Sequence, residues 1–146
     1  MGEEVKKVAL ITGGGSGIGR SAALALQNDG FHVIVCGRRV EQLEETVSLG
    51  ASDKPVIKAI ATDVTNGTSV KSLFSQIENS YSRLDVLFNN AGMGAPRVEL
   101  DELTEDAWRQ CVDVNLTGSF LCAQAAFKIM KSQSPQGGRI INNGSI

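Results

Sequence analysis

The run Thr12-Gly-Gly-Gly-Ser-Gly-Ile-Gly19 stands between two segments of opposite character. Before it, Val8 to Ile11 is a short unbroken apolar stretch, the pattern of a strand buried on both faces. After it, Ile18 to Asn28 carries Ile18, Ala22, Leu24, Ala25 and Leu26 at helical spacing, and Asp29-Gly30 closes the segment. Glycines at such a junction let the backbone approach a ligand, and the helix start presents amides whose partial positive charge favours anions. The spacing Gly13-xxx-Gly17-x-Gly19 departs from the commoner G-x-G-x-x-G, and no Lys-Ser or Lys-Thr pair ends the run, which excludes a P-loop. A flexible connector is the plainer reading of any glycine run, but a strand before it and an apolar helix after it argue against that here. The turn therefore reads as a diphosphate site.

Working outward, the alternation continues. Phe31 to Cys36 reads as a strand, Val40 to Leu49 as a helix ended by Gly50, and Val56 to Ala61 as a third strand. Val70 to Tyr81 shows Val70, Leu73, Phe74 and Ile77 at helical spacing, Val86 to Phe88 is a fourth strand, and a long helical region runs from Glu105 to Lys131. Gly137-Gly138 then introduces a fifth strand, Arg139 to Asn142. Strands separated by single helices must be parallel and joined by right-handed crossovers. The expected fold is α/β: a Rossmann-like doubly wound parallel sheet of about five strands in a three-layer α/β/α arrangement. No repeat or linker divides the chain, so residues 1–146 are read as one unit.

Composition narrows the class of function. With 14 basic and 16 acidic residues and a net charge of −2, the chain offers no electrostatic reason to bind nucleic acid or an anionic membrane. Val8 to Ile11 is too short for a signal core or a membrane span, and Gly2 lacks the Ser or Thr that a myristoylation signal requires; a cytoplasmic protein is expected. Cys36, Cys111 and Cys122 fit neither a disulfide framework nor metal-ligand spacing and are expected to be small buried hydrophobes. His32 is the only histidine, which excludes a His-based triad and any multi-histidine metal site. No metal is expected.

Several stretches in order carry a family resemblance. Thr12-Gly-xxx-Gly17-Ile-Gly19 resembles the cofactor motif of the short-chain dehydrogenase/reductase family, classical type. Thr62-Asp63-Val64 after the third strand, Asn89-Asn-Ala-Gly92 after the fourth, and Val114-Asn115 within the long helix match in sequence, and Arg139-Ile-Ile-Asn-Asn-Gly-Ser145 is similar to the strand that delivers the family's catalytic serine. The resemblance covers essentially the whole chain. It implies that Gly13, Gly15, Ser16, Gly17, Ile18 and Gly19 line the diphosphate, that Asp63 and Val64 contact the adenine, and that Asn90, Ala91 and Gly92 border the adenosine ribose and the nicotinamide side. Taken alone, Asp63 after a strand is a turn or helix-cap residue.

The end of the second strand speaks to the choice of coenzyme. An acidic side chain there accepts from the ribose 2′-OH and repels a 2′-phosphate. Here the segment is Val35-Cys-Gly-Arg-Arg39: Gly37 stands where an acid would discriminate, and two guanidiniums follow. Arginine binds phosphate through a charge-assisted fork, so NADP is expected over NAD, with Arg38 the main contact and Arg39 secondary. An exposed basic pair at the start of the next helix is the alternative.

The family transfers a hydride between nicotinamide and a carbonyl or alcohol carbon. The resemblance implies a tyrosine that moves the proton, a lysine four residues later that lowers its pKa, a serine bonded to the substrate oxygen, and an asparagine in the long helix that holds a water. Ser145 matches the serine and Asn115 the asparagine. Asn115, Thr117 and Gly118 are poor helix formers, which predicts either a local kink that frees a carbonyl or a close helix contact. No Tyr-xxx-Lys occurs, and the only tyrosine, Tyr81, ends the third helix. The expectation is therefore an NADP-dependent oxidoreductase of which this chain is the amino-terminal part, inactive by itself, with a non-catalytic cofactor-binding or dimerisation module as the alternative. A small carbonyl or alcohol substrate and a homo-oligomer formed through the long helix follow from the resemblance. Trp108 is expected to anchor that helix against the sheet, and Met93 with Gly94-Ala95-Pro96 to form an ordinary loop or the rim of a substrate cavity.

Overall fold

Five short strands form the middle of the molecule, seen here in a computed structural model that describes residues 6–144. They are β1 (Val8–Thr12), β2 (His32–Gly37), β3 (Ile57–Ala61), β4 (Val86–Asn89) and β5 (Arg139–Asn142). All pair in parallel, in the order β3-β2-β1-β4-β5. The helices are α1 (Gly17–Asn28), α2 (Val40–Ser48), α3 (Gly67–Tyr81), α4 (Glu105–Val112) and α5 (Gly118–Ser132). The strand order reverses direction at β1, with β2 on one side and β4 on the other, and that is where doubly wound sheets open a crevice at their carboxyl ends.

The two-residue period of β1 explains the layering. Ala9 and Ile11 pack into one core with Ala23, Val33, Val35, Leu43 and Ile57, beneath α1 and α2. Val8 and Leu10 face the opposite core, with Ile34, Leu73, Phe74, Ile77, Cys122, Ala126 and Ile129, beneath α3 and α5. Both faces of the sheet are covered at β1 and β2, which is why β1 and the middle of β2 read as unbroken apolar runs. Burial pushes the Cys36 thiol far up and the Cys122 thiol to about 11, so both remain protonated and serve as core hydrophobes.

Four expectations need correction. Helix α3 begins at Gly67 rather than Val70, because the Asn66 side chain accepts from the Ser69 amide and caps a first turn of poor helix formers. Trp108 does not anchor its helix: it is 60% exposed, and α4 buries no residue at all, packing mainly on the residues that follow it rather than on the sheet. Cys111 is only half-buried, its sulfur beside the Met93 carbonyl and the Asn115 amide. The expected long helix is interrupted by a π-helical turn over Asp113–Thr117, between α4 and α5.

The entry to β4 is held by charge. Asp85 accepts from the Val8 amide at 2.8 Å and pairs with Arg83 at 2.6 and 2.9 Å. Burial opposes its ionisation, but the Arg83 guanidinium and the Val8 amide outweigh that and hold the carboxyl below the ordinary carboxylate range. A depressed folded-state pKa contributes stability that is complete above about pH 5 and is lost as the pH falls through the folded value. Asp85→Ala is expected to lower unfolding free energy by about 1–3 kcal/mol near neutrality. Urea titrations at pH 7 and pH 3 check this: the gap between wild type and variant should narrow at the lower pH.

Candidate functional site

The glycine turn leaves β1 at Thr12 and enters α1 at Gly17, with Gly13 and Gly17 both at positive φ (+64° and +52°). A β-carbon at Gly13 would sit 3.0 Å from the Ala91 Cα, and one at Gly19 would run into the Gly13 carbonyl and lie 2.6 Å from the Asn90 amide nitrogen. A β-carbon at Gly14 would press on Val35, at 2.6 Å. The glycines are thus demanded by close packing of the turn against β2 and the segment after β4.

Five successive carbonyls of the turn are tied back into the protein. Asn90 Nδ2 donates to the Thr12 and Gly13 oxygens (3.2 and 3.3 Å), Thr46 Oγ1 to Gly14 (2.9 Å), Arg20 Nη2 to Gly15 (2.5 Å), and the Arg20 amide to Ser16 (3.1 Å). Arg20 also pairs with Glu45 and bonds Thr46, which fastens the start of α1 to α2. Thr12 Oγ1 accepts from the Asn90 and Ala91 amides, both at 2.9 Å. At the N-cap, Ser16 makes no side-chain hydrogen bond, so the first amides of α1 carry no internal cap. With the carbonyls held inward and the helix start uncapped, the turn suits an anion.

A cleft opens beside this turn at the carboxyl ends of β1, β2 and β4. Gly13, Gly15 and Ser16 line one wall, Gly37, Arg38, Arg39 and Gln42 the second, and Thr62, Asp63, Val64, Ala91, Gly92 and Val114 the rest. Nine of the residues singled out from sequence meet there: Gly13, Gly15, Ser16, Arg38, Arg39, Asp63, Val64, Ala91 and Gly92. Gly17, Ile18, Gly19 and Asn90 belong to the turn and its clasp without lining the cleft; Ile18 is 63% exposed and Asn90 Oδ1 accepts from Asn143. Asp63 has the local role that the residue taken alone suggests. Its Oδ1 accepts from the Thr65 hydroxyl and amide at 2.7 and 3.0 Å, and those bonds, with Arg38 nearby, hold its carboxyl below the usual range against the effect of burial.

The residues present fit a dinucleotide on observations independent of sequence motifs. The cleft joins an uncapped helix start to a pair of guanidiniums, and it contains a buried acceptor, Gln42 Oε1, that finds no donor among the described residues. A family model described as short chain dehydrogenase matches residues 7–146.

The chain belongs to the short-chain dehydrogenase family. It is 36% identical over 146 residues to a 3beta-hydroxysteroid dehydrogenase of Mediterraneibacter gnavus, a match spanning 100% of this chain and 52% of that protein. Among solved structures, a metagenomic short-chain oxidoreductase in complex with NADP superposes with a TM-score of 0.90 at 27% identity, over 97% of this chain and 64% of that one. Actinorhodin polyketide ketoreductase with NADPH does so with a TM-score of 0.86 at 32% identity, over 94% and 52% respectively. The chain spans about half the length of the curated relatives it matches.

In this short-chain dehydrogenase chain Asn115 lies on the π-helical turn, where its amide grips the Met93 backbone from both sides: Oδ1 accepts from Met93 N at 2.9 Å and Nδ2 donates to Met93 O at 2.8 Å. The next residue but two, Gly118, meets a tight contact, for a β-carbon there would sit 2.8 Å from Val64 Cγ2. The close contact expected here is present and the glycine is a packing requirement; the helix is distorted as well, but the Asn115 carbonyl is not freed, since it accepts from Ser119 Oγ at 3.0 Å. Ser145 lies outside the described residues. Tyr81 packs 5.6 Å from His32, the first residue of β2, at the opposite end of the strands from the cleft, and burial raises its phenol further from neutrality. It cannot reach the site. Sequence reasoning missed Arg20, Gln42 and Thr46 and gave Thr12 a place in the motif without a role; Arg20 adjoins the glycine motif, while Gln42 and Thr46 carry no local signal.

Proposed function

We propose that this chain is the coenzyme-holding part of an NADP-dependent short-chain dehydrogenase/reductase that interconverts a small carbonyl compound and its alcohol. The observation that carries the reading is the wall of the cleft at the end of β2, where Gly37 is followed by Arg38 and Arg39 and no acid occupies the ribose-discriminating position. The turn from Gly13 through Gly15, Ser16, Gly17 and Ile18 to Gly19 would hold the diphosphate, Arg38 with Arg39 the 2′-phosphate, Asp63 and Val64 the adenine, and Asn90, Ala91 and Gly92 the nicotinamide side. The bound nicotinamide supplies or accepts the hydride. Ser145 would bond the substrate oxygen, and Asn115, whose amide grips the Met93 backbone, would hold the water that the resemblance implies. Relatives solved with NADP and NADPH support the choice of coenzyme.

Calorimetric titration of the chain with both reduced coenzymes tests this reading. NADPH is expected to bind about 10- to 100-fold more tightly than NADH, the ratio that one or two charge-assisted hydrogen bonds supply. Equal affinities overturn the assignment.

A second reading applies to the 146 residues taken by themselves: a cofactor-binding or dimerisation module without turnover. It is favoured by the absence of Tyr-xxx-Lys in the sequence and by the remoteness of Tyr81. Leu116, Phe120 and Phe127 leave an apolar face exposed along the π turn and α5 that suits homo-oligomerisation. No helix among the described residues is long and apolar enough to cross a membrane, and three free cysteines suit a reducing, cytoplasmic setting.

A further inference from the structure

Gln42 occupies an unusual position in the cleft. Its backbone carbonyl lies 3.3 Å from Arg20 Nη2 of α1, so the root of the side chain sits where α1 meets α2. Gly15 permits α2 to close over the turn at this point, since a β-carbon at residue 15 would lie 3.0 Å from Gln42 Cβ. The side chain itself lines the cleft, yet its Oε1 is buried without a donor among the described residues. A buried acceptor left unpaired costs folding free energy that nothing inside the protein returns. Such a group is explained when a ligand brings the missing donor.

Position identifies that donor. Gln42 packs on Gly15 of the diphosphate turn and shares the lining of one cleft with Arg38 and Arg39. In a dinucleotide phosphorylated at the 2′ position, the sugar that joins the diphosphate to the 2′-phosphate is the adenosine ribose, and its remaining hydroxyl is the 3′-OH. We propose that Gln42 is a coenzyme-binding residue whose Oε1 accepts a hydrogen bond from the 3′-hydroxyl of the adenosine ribose. The inference rests on the coenzyme reading above and adds a contact that serves NADP and NAD alike, separate from the discrimination assigned to Arg38.

Gln42→Leu and Gln42→Glu test it, through calorimetric Kd values for NADPH and NADH and through melting of the coenzyme-free protein. Gln42→Leu is expected to weaken both coenzymes by a similar factor, about three- to tenfold, while the coenzyme-free variant melts at or above the wild-type temperature because an unpaired acceptor has gone. A glutamine with a purely structural role gives the reverse pattern, a lower melting temperature with affinity unchanged. Gln42→Glu retains the acceptor, so NADH binding should stay near wild type while NADPH weakens against the added charge. Unchanged affinity in Gln42→Leu, a loss confined to one coenzyme, or NADH weakened as much in Gln42→Glu as in Gln42→Leu overturns the proposal. If the wild-type chain binds neither coenzyme, the coenzyme reading itself fails; if it binds and Gln42→Leu binds equally well, only the role of Gln42 fails.

Discussion

Arg38→Glu is expected to weaken NADPH binding by about 100-fold or more and to leave NADH binding within a few fold of wild type, reversing the coenzyme preference. The magnitude follows from removing charge-assisted bonds to a phosphate, about 1.5–3 kcal/mol, and adding a repulsive carboxylate in the same place. Arg38 is exposed and makes no ion pair among the described residues, so its loss leaves no buried partner stranded, and the melting temperature of the coenzyme-free variant should stay close to wild type. Parallel titrations with the two coenzymes read the result. An Arg38→Glu protein that still prefers NADPH would move the phosphate contact to Arg39 or away from this wall altogether.

Gly19→Ala acts by a different route and should damage stability and binding together. The added methyl collides with the Gly13 carbonyl and with Asn90 Nδ2, two parts of the clasp that shapes the turn. Overpacking of this kind costs about 1–3 kcal/mol, and relief is available only by pushing the turn off the segment after β4. The coenzyme-free variant is therefore expected to melt lower, and NADPH affinity to fall by tenfold or more because the amides no longer converge on one anion. Gly17→Ala offers the contrast: its β-carbon meets nothing, and the cost is limited to the strain of a positive φ. Melting curves and titrations of the two variants side by side separate collision from strain.

Much of this arrangement is legible along the chain, for reasons visible in particular residues. Local pattern suffices for β1, the turn and α1, since strand period, glycine spacing and helix period follow one another within twenty-one residues. The convergence of Gly37, Arg38, Asp63 and Ala91 on one cleft follows once the segments are ordered in a doubly wound sheet. What escapes a linear reading is contact at long range. Asn90 looks like part of a motif, yet its structural work is done on carbonyls 77 and 78 positions earlier. Thr46 and Gln42 are ordinary helix residues until α2 is folded against the turn. Trp108 differs for a related reason: an aromatic in a helix ordinarily seeks the core, but α4 buries none of its residues. At Asn115 and Gly118 the weak helix formers announce a disturbance, and only the packing on Met93 and Val64 tells its form.

The inward anchoring of carbonyls 12 to 16 bears on the thermodynamics of recognition. Donors from Asn90, Thr46 and Arg20 orient this stretch of backbone while the chain folds, so little conformational freedom is left for an arriving anion to remove. The entropy of arranging the receptor is spent before the encounter. Loosening one of these remote ties would then raise the ordering cost at the moment of association, and affinity would decline even though every atom that touches the ligand is still there.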